Sequence, residues 1–491
     1  MTKEIIEKRI NLLLGAIILF GAVIRIYLFN LVKTQAHWWD SLAYGSLAKN
    51  MIFHKWDEVP FIVHELVIRP PLFPLIWSWF LRMGASDSSL IFITGIVPSI
   101  ISIFLVYLIG KEMYNAKIGL IAASFASVSW IHLFYSARAM TDVPSMCLVL
   151  ASIYFFIKAQ DSISIKPWVI SILSLSFAVL LRYSHAVVAF AYLAFLISTH
   201  RTKLIKNKNF WIGGLIGAIP LIIFVLINLV NYGSLLPAGS EYSSSISENN
   251  QALAWYTIGF IKHILQEPLI YLFYLGFILI VIKTTMSYGF ILKQKETKMH
   301  LFNILLLLFV LSFYIFIIKA SEDRYLLGLS SLLFILPAIT ISYIYDFTSK
   351  YKKEIASVLC IALVLWSAYA QFSFAKSLML DKKESYRQMK DAYEWIKYNT
   401  PEDSIIIGDW GEPYIIYYAD RDIQNWPDNL TFTNFTLKAD YVVLTAVHQP
   451  NEKVVTYVNG LAEKGNLVVV KAFFFDAEQK QPAVVIYKKT Q

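Results

Sequence analysis

Apolar residues in this chain gather into long blocks, without the alternation of a half-buried strand or the single stripe of a surface helix. The blocks fall at residues 11–31, 89–110, 117–134, 142–158, 167–181, 184–199, 210–230, 267–283, 300–318, 325–346 and 355–375. Runs of about 17–25 apolar residues cross the ~30 Å of hydrocarbon in a bilayer, so the pattern predicts about eleven membrane-spanning helices. An odd count puts the two termini on opposite sides. Residues 32–88 break the pattern. Asp40, Tyr44, Leu47, Ala48 and Met51 recur at three- and four-residue spacing, which predicts a short amphipathic helix lying along the interface. Pro70-Pro71 interrupts the chain, and residues 72–83, rich in Trp and Phe, predict a second interfacial helix with proline just ahead of it.

Beyond residue 376 the pattern changes again. Residues 385–398 have helical spacing and stop at Asn399-Thr400-Pro401; strands are predicted at 404–407, 441–445, 467–475 and 483–487, with a helix at 454–464. The expected architecture is an α-helical polytopic membrane domain over 1–376, with juxtamembrane helices in its first loop (32–88). A small α/β domain over 377–491 follows.

Composition agrees: 57% of residues are hydrophobic and 16% charged, with mean hydropathy +0.56, whereas soluble domains carry about 25% charge. The net charge is +9, but in a membrane protein the placement of basic residues matters more than their sum, and nucleic-acid binding is not implied. Lys111/Lys117, Lys158/Lys166, Arg201/Lys203/Lys206/Lys208, Lys293/Lys295/Lys298 and Lys350/Lys352/Lys353 fall in alternate connections. Those connections, with the basic N-terminus, are expected in the cytoplasm, which leaves the 32–88 loop and the C-terminal domain extracytoplasmic. Lys3, Lys8 and Arg9 ahead of the first run resemble a signal peptide, but the run is too long and no small-residue cleavage site follows, so it reads as an uncleaved span. Cys147 and Cys360 sit inside apolar runs, so no disulfide holds the polar domain. Two acceptor sequons, at Asn429 and Asn434, fit an outer location. The 231–250 loop has turn chemistry and serves equally as a flap over a site or as a plain connector.

The chemistry concentrates where spans meet the outer water. Asp40 stands between Trp39 and Tyr44; a carboxylate partly screened from water suits proton removal from an acceptor as a sugar is transferred to it. An aspartate there can equally cap the helix that follows, and both roles can hold together. Arg69, ahead of two prolines, is held extended, where a guanidinium grips a phosphate or simply reaches lipid head groups. Arg138 and Asp142 are four apart and would pair on one helix face. Arg25, Arg182, His185, Lys319, Arg324 and Tyr325 lie at the same outer level. Arginines gathered on the side that charge bias disfavours suggest an anionic ligand such as a lipid phosphate. His37, His64 and Glu65 lack metal-ligand spacing, and no divalent metal is expected. Without a glycine-rich phosphate loop or a Ser–His nucleophile motif, neither ATP nor a nucleotide sugar is indicated, and no cofactor is expected. The activated group should arrive already attached to lipid.

In order along the chain, these residues resemble a family. Arg25 stands late in the first span, Asp40 and Tyr44 open a juxtamembrane helix, and Arg69-Pro70-Pro71-Leu72 follows. Arg138 with Asp142, and Arg324-Tyr325 opening a late span, complete the series. Together they are similar to the GT-C glycosyltransferases, in the branch that holds the protein O-mannosyltransferases and the lipid A aminoarabinose transferase. The resemblance implies inverting transfer from a polyprenyl-phosphate-linked sugar on the outer face, with Asp40 as acceptor-activating base and Arg69 as phosphate ligand. The mannosyltransferases usually follow the aspartate with glutamate; here Ser41 stands there, so the acceptor (protein, lipid or glycan) is unassigned. Residues 406–418 also resemble the Trp-Trp-Asp-Tyr-Gly region of the oligosaccharyltransferases, a neighbouring branch. Competing readings are a transporter or flippase for lipid-linked sugars and a non-catalytic scaffold. The first predicts two similar halves with interrupted spans, which the chain lacks; the second leaves the outer arginines unexplained.

Overall fold

The computed structural model describes residues 3–200, 207–235, 237, 259–287, 294–318, 322–433, 435–476 and 478–490. Lys319, Arg201, Lys203, Lys206, Lys293, Asn434 and most of the 231–250 loop lie outside the described residues. Contacts divide the chain into two units, Met1–Lys33 with Asp87–Leu380 and Thr34–Ser86 with Asp381–Gln491.

The first unit is helical. Among the described residues, nine helices are long and apolar enough to cross a membrane, and Ala116–Val128 with Trp130–Ser136, bent by 50°, makes a tenth. The count is therefore nine or ten, against about eleven expected from the apolar runs. The difference is the 167–181 run, which forms the shorter apolar helix Lys166–Leu181. At 1.5 Å per residue it is about 24 Å long, short of the hydrocarbon thickness. The chain is a multi-pass membrane protein.

Burial sorts the helices. Every residue from Ser330 to Ser342 is buried in the helix Ser330–Thr348, which makes it central. Lys208–Tyr232 buries only Gly213, Gly217 and Asn228 and turns the rest outward, as a lipid-facing helix does. Its two glycines are one turn apart, the small-xxx-small arrangement that lets helix backbones approach in lipid. A Cβ on Gly217 would come within 2.7 Å of Ile172 Cβ and 2.8 Å of Leu173 N, while Ser176 Oγ donates to Gly217 O at 2.9 Å. Arg25 is buried and donates to Ser99 Oγ at 2.7 Å, Ser127 O at 2.7 Å and Ala126 O at 3.1 Å, so it ties spans together.

The second unit joins the first long loop to the C-terminal domain. Its five-stranded sheet comprises β1 (Ile405–Gly408), β2 (Asp422–Ile423), β3 (Tyr441–Thr445), β4 (Leu467–Phe474) and β5 (Pro482–Lys489), in the order β2-β1-β3-β5-β4. β1 runs parallel to β2 and β3, and β5 antiparallel to β3 and β4. Helices Arg387–Asn399 and Glu452–Glu463 stand close to their expected places. The core gathers Ile407, Val442, Val454, Val458 and Leu467, with Trp426, Phe432 and Tyr457 packed against it.

The loop carries three helices: Trp39–Phe53, Pro60–Ile68 and Leu72–Arg82. The middle one is unpredicted from the sequence; Pro60 starts it by fixing φ without losing a hydrogen bond. The expected amphipathic character of the first is not found. Every residue from Ser41 to Asn50 is buried, polar ones included, because the C-terminal part of the unit covers it. Leu47, Trp56, Ile62 and Ile416 share one core, Trp56 Nε1 donates to Arg421 O at 3.1 Å, and Lys49 pairs with Asp420 at 3.4 Å.

Substituting Gly217 by Val is expected to destabilise the membrane unit by about 1–3 kcal/mol, through overpacking against Ile172 and Leu173. Thermal unfolding in detergent measures this; an unchanged midpoint would mean that the helices do not approach at that glycine.

Candidate functional site

Two polar groups form, one in each unit. In the second unit, Pro70 forbids helix at the preceding residue, so the helix Pro60–Ile68 ends with Arg69 extended at φ −94°, ψ 141°. Glu65, four residues back, forms an ion pair with Arg69 Nε. Arg69 Nη2 donates to Asp40 Oδ1 at 3.1 Å, and the guanidinium lies 4.8 Å from the centroid of the Tyr44 ring. Tyr44 is four residues after Asp40 and therefore on its helix face, fixed by an edge contact with Phe73 at 5.4 Å. Asp40 is not the helix cap: that position is Trp38, with no side-chain cap bond. Asp40 lies in the first turn, where the helix dipole favours a carboxylate.

The side chains of Glu65 and Arg69 are 6% and 14% exposed and that of Asp40 is 28% exposed, so Asp40 is the member of the trio most open to an incoming group. Burial disfavours charge on Arg69, but Asp40, Tyr44 and Glu65 outweigh it and hold its pKa above the ordinary value. One cation thus serves two carboxylates. Of His37, His64 and Glu65, the last belongs to this trio, while the His37 ring packs against Trp77 and Tyr417 at 5.5 and 5.4 Å. His64 is exposed.

In the membrane unit, Asp142 opens the helix Asp142–Gln160. It pairs with Arg182 rather than with Arg138. The expected i,i+4 pair fails because Arg138 lies in the short loop before that helix; its guanidinium sits 3.5 Å from the Phe134 ring centroid. Arg182 and Arg324 lie 5.0 and 5.9 Å from the ring centroid of Tyr325, and Tyr325 stacks on Tyr314 at 5.1 Å. Arg324 also pairs with Glu322. His185 Nε2 and Ser145 Oγ are 2.9 Å apart, and Tyr135 donates to Asp323 Oδ1 at 2.5 Å.

The structure therefore brings Asp40, Tyr44 and Arg69 together, and separately Asp142, Arg182, Arg324 and Tyr325, with His185 bonded one turn along the Asp142 helix. Glu65, Tyr135, Tyr314 and Asp323 are participants that the sequence reading did not assign. Glu65 was findable: it precedes Arg69 by one helical turn.

Residues 68–227 match the family model of dolichyl-phosphate-mannose-protein mannosyltransferases. No curated protein matches. Among solved structures, ArnT from Cupriavidus metallidurans in the apo state is similar at 11% identity and TM-score 0.65, over 96% of this chain and 98% of that one. The same protein bound to undecaprenyl phosphate gives 13% and 0.63 over the same shares, 96% and 98%. The archaeal oligosaccharyltransferase AglB from Archaeoglobus fulgidus, in complex with an inhibitory peptide and a dolichol-phosphate, gives 14% and 0.60 over 95% of this chain and 80% of that one.

Replacing Arg182 by Met strands the buried Asp142 carboxylate and is expected to destabilise the protein by about 3–5 kcal/mol, whereas adding Asp142→Leu should recover most of the loss. Denaturation of the two variants in detergent tests this; equal loss in both would show that the pair is not the stabilising element.

Proposed function

We propose that this chain, which has the GT-C fold in the form shared by ArnT and AglB, is an inverting glycosyltransferase. It takes its sugar from a polyprenyl-phosphate donor and delivers it to an acceptor on the extracytoplasmic side, with the N-terminus in the cytoplasm. The observation that carries the reading is the Asp40–Arg69–Glu65 trio, with its partly open carboxylate.

In the proposed step, an acceptor O–H or N–H approaches the anomeric carbon. The new bond forms from the acceptor lone pair as the bond from the anomeric carbon to the phosphate oxygen breaks. The electron pair of that bond leaves with polyprenyl phosphate, and the acceptor proton goes to Asp40. Attack opposite the leaving group inverts the configuration.

Protonation of Asp40 also changes Arg69. The guanidinium then faces one charged carboxylate instead of two, and its second N–H face is released toward the phosphate that has just gained charge. Glu65 keeps the side chain in place throughout. The trio thus couples uptake of the acceptor proton to stabilisation of the leaving group, and needs no metal or nucleotide. In the membrane unit taken by itself, Arg138, Arg182, Arg324 and Lys319 are the cations proposed to attract an anionic lipid head group. Tyr325 and His185 support that group, with Asp142 orienting Arg182.

Purified protein given a polyprenyl-phosphate hexose or pentose should release free polyprenyl phosphate. Asp40→Asn should lower that rate by about 10²–10⁴-fold with expression intact, and Arg69→Lys should rescue poorly, since an ammonium lacks the planar fork that spans two carboxylates. Normal turnover by Asp40→Asn would remove the base from the mechanism. Transbilayer movement of labelled carrier with no sugar released would replace the transferase by a flippase.

A further inference from the structure

At the end of the helix Trp39–Phe53 that is far from Asp40, a cleft opens that the proposed transfer does not use. His54 ends the helix in a left-handed turn, φ +51°. The Asn50 side chain holds that turn: its Oδ1 accepts from Trp56 N at 2.9 Å, and its Nδ2 donates to Asp57 Oδ1 at 2.8 Å. In the C-terminal part of the same unit, the buried Arg421 guanidinium donates to Lys397 O at 2.7 Å and Thr400 O at 2.8 Å. It thereby caps carbonyls at the end of the helix Arg387–Asn399. Residues from these two fixed helix ends line an open cleft of about 750 Å³, within the size range of small-molecule sites.

Its floor and walls differ in chemistry. Trp56 and Arg421 make the floor and are buried; the indole Nε1 donates to Arg421 O at 3.1 Å, and neither side chain is offered to a ligand. Phe53 and Tyr398 line the cleft with side chains 60% and 78% exposed. Lys55 and Lys397 bring two ammonium groups on side chains 34% and 39% exposed, and Glu402 and Asp420 bring carboxylates. The charges do not cancel. The Asp420 carboxylate is shared by Lys49 at 3.4 Å and Lys397 at 3.8 Å. The second distance is longer than a hydrogen bond, which leaves the Lys397 donors for a better acceptor. Lys55 contacts Asp422 Oδ1 at 3.2 Å and Asp420 O at 3.4 Å. Arg421 adds a buried positive charge that no carboxylate pairs with among the described residues; carbonyl oxygens surround it, and the cleft above it carries a positive field.

Those accessible groups select a ligand. Exposed aromatic rings give the C–H face of a sugar a surface to pack on, which a bare anion does not use. Two ammonium groups that both contact residue 420 suit one anionic substituent, and the Glu402 carboxylate accepts from sugar hydroxyls. We propose that this cleft is a second, non-catalytic saccharide site. Its ligand is a sugar carrying one anionic group, a carboxylate or a phosphate, held by Lys55 and Lys397 and packed on Phe53 and Tyr398. Asp40 and Phe53 stand at opposite ends of their helix, about 20 Å apart at 1.5 Å per residue, so a sugar in the cleft is out of reach of the base. Its role is attachment: it holds the unit against an anionic glycan while transfer proceeds elsewhere. The site stands whether or not the chain transfers sugar.

The test is titration calorimetry on the full-length protein in detergent, with glucose, glucuronate, glucose 6-phosphate and inorganic phosphate as probes and no lipid donor present. Glucuronate or glucose 6-phosphate should bind, and whichever binds names the anionic group. Glucose should bind about tenfold more weakly or not at all, and raising the salt should weaken the charged sugar. Lys397→Gln and Tyr398→Ser should each cost about tenfold in its affinity. Both side chains are exposed, so both variants should unfold at the wild-type temperature, which separates lost binding from lost structure. Asp40→Asn should bind the charged sugar as wild type does. The proposal is overturned if neither charged sugar binds, if glucose binds equally well, if Lys397→Gln or Tyr398→Ser binds as wild type does, or if Asp40→Asn abolishes binding. Inorganic phosphate binding as tightly as glucose 6-phosphate would also overturn it, since that describes an anion site without a sugar. With no donor present, the outcome is independent of polyprenyl-phosphate release, so failure of this site and failure of the transferase reading are told apart.

Discussion

One guanidinium joined to two carboxylates from different helices is the constraint on which the second unit's site depends. Arg69 can make both contacts because Pro70 takes its backbone out of the helix that carries Glu65. Continuing that helix by one more residue would swing the side chain around the axis and away from Asp40. The double proline is therefore a positioning device. It converts a helix end into a fixed elbow, and the elbow sets the 3.1 Å contact.

The second unit explains how so short a stretch is held. A helix with Ser46, Lys49 and Asn50 buried along its length would be a poor solution on a membrane surface. It becomes a good one when each polar group has a specific partner. Lys49 finds Ile416 O and Asp420, Asn50 finds Asp57 and the Trp56 amide, and Ser46 finds Pro413 O. Buried polar groups of this kind specify one register, since sliding the helix would leave several of them unpaired.

How much was legible follows from the range of each interaction. Spans are a length argument, and every apolar run in the described residues is helical; the run at 167–181 forms the shorter apolar helix Lys166–Leu181. Strands β1 and β3 to β5 were readable from β-branched clusters, and only the two-residue β2 was not. Asp40 and Arg69 could be singled out because their signals are local: a carboxylate between aromatics and a basic residue before two prolines. The partner of Asp142 was not readable, since Arg182 lies forty residues on and only packing decides between it and Arg138. The burial of helix Trp39–Phe53 was equally hidden. Its three- and four-residue spacing describes one apolar face, and nothing local reports that the opposite face is covered by residues near 416.

That covering has a temporal side. Leu47 leaves the ribosome early, and Ile416, which shares its core, is made some 370 residues later. At roughly 5–20 residues per second, the interval is on the order of 20–75 seconds. Through that window the nascent helix has lipid, a chaperone or the translocon for company, and its charged partners do not yet exist. The order of synthesis therefore leaves the helix Trp39–Phe53 without its cover until the last hundred residues arrive, a built-in delay in completing the second unit.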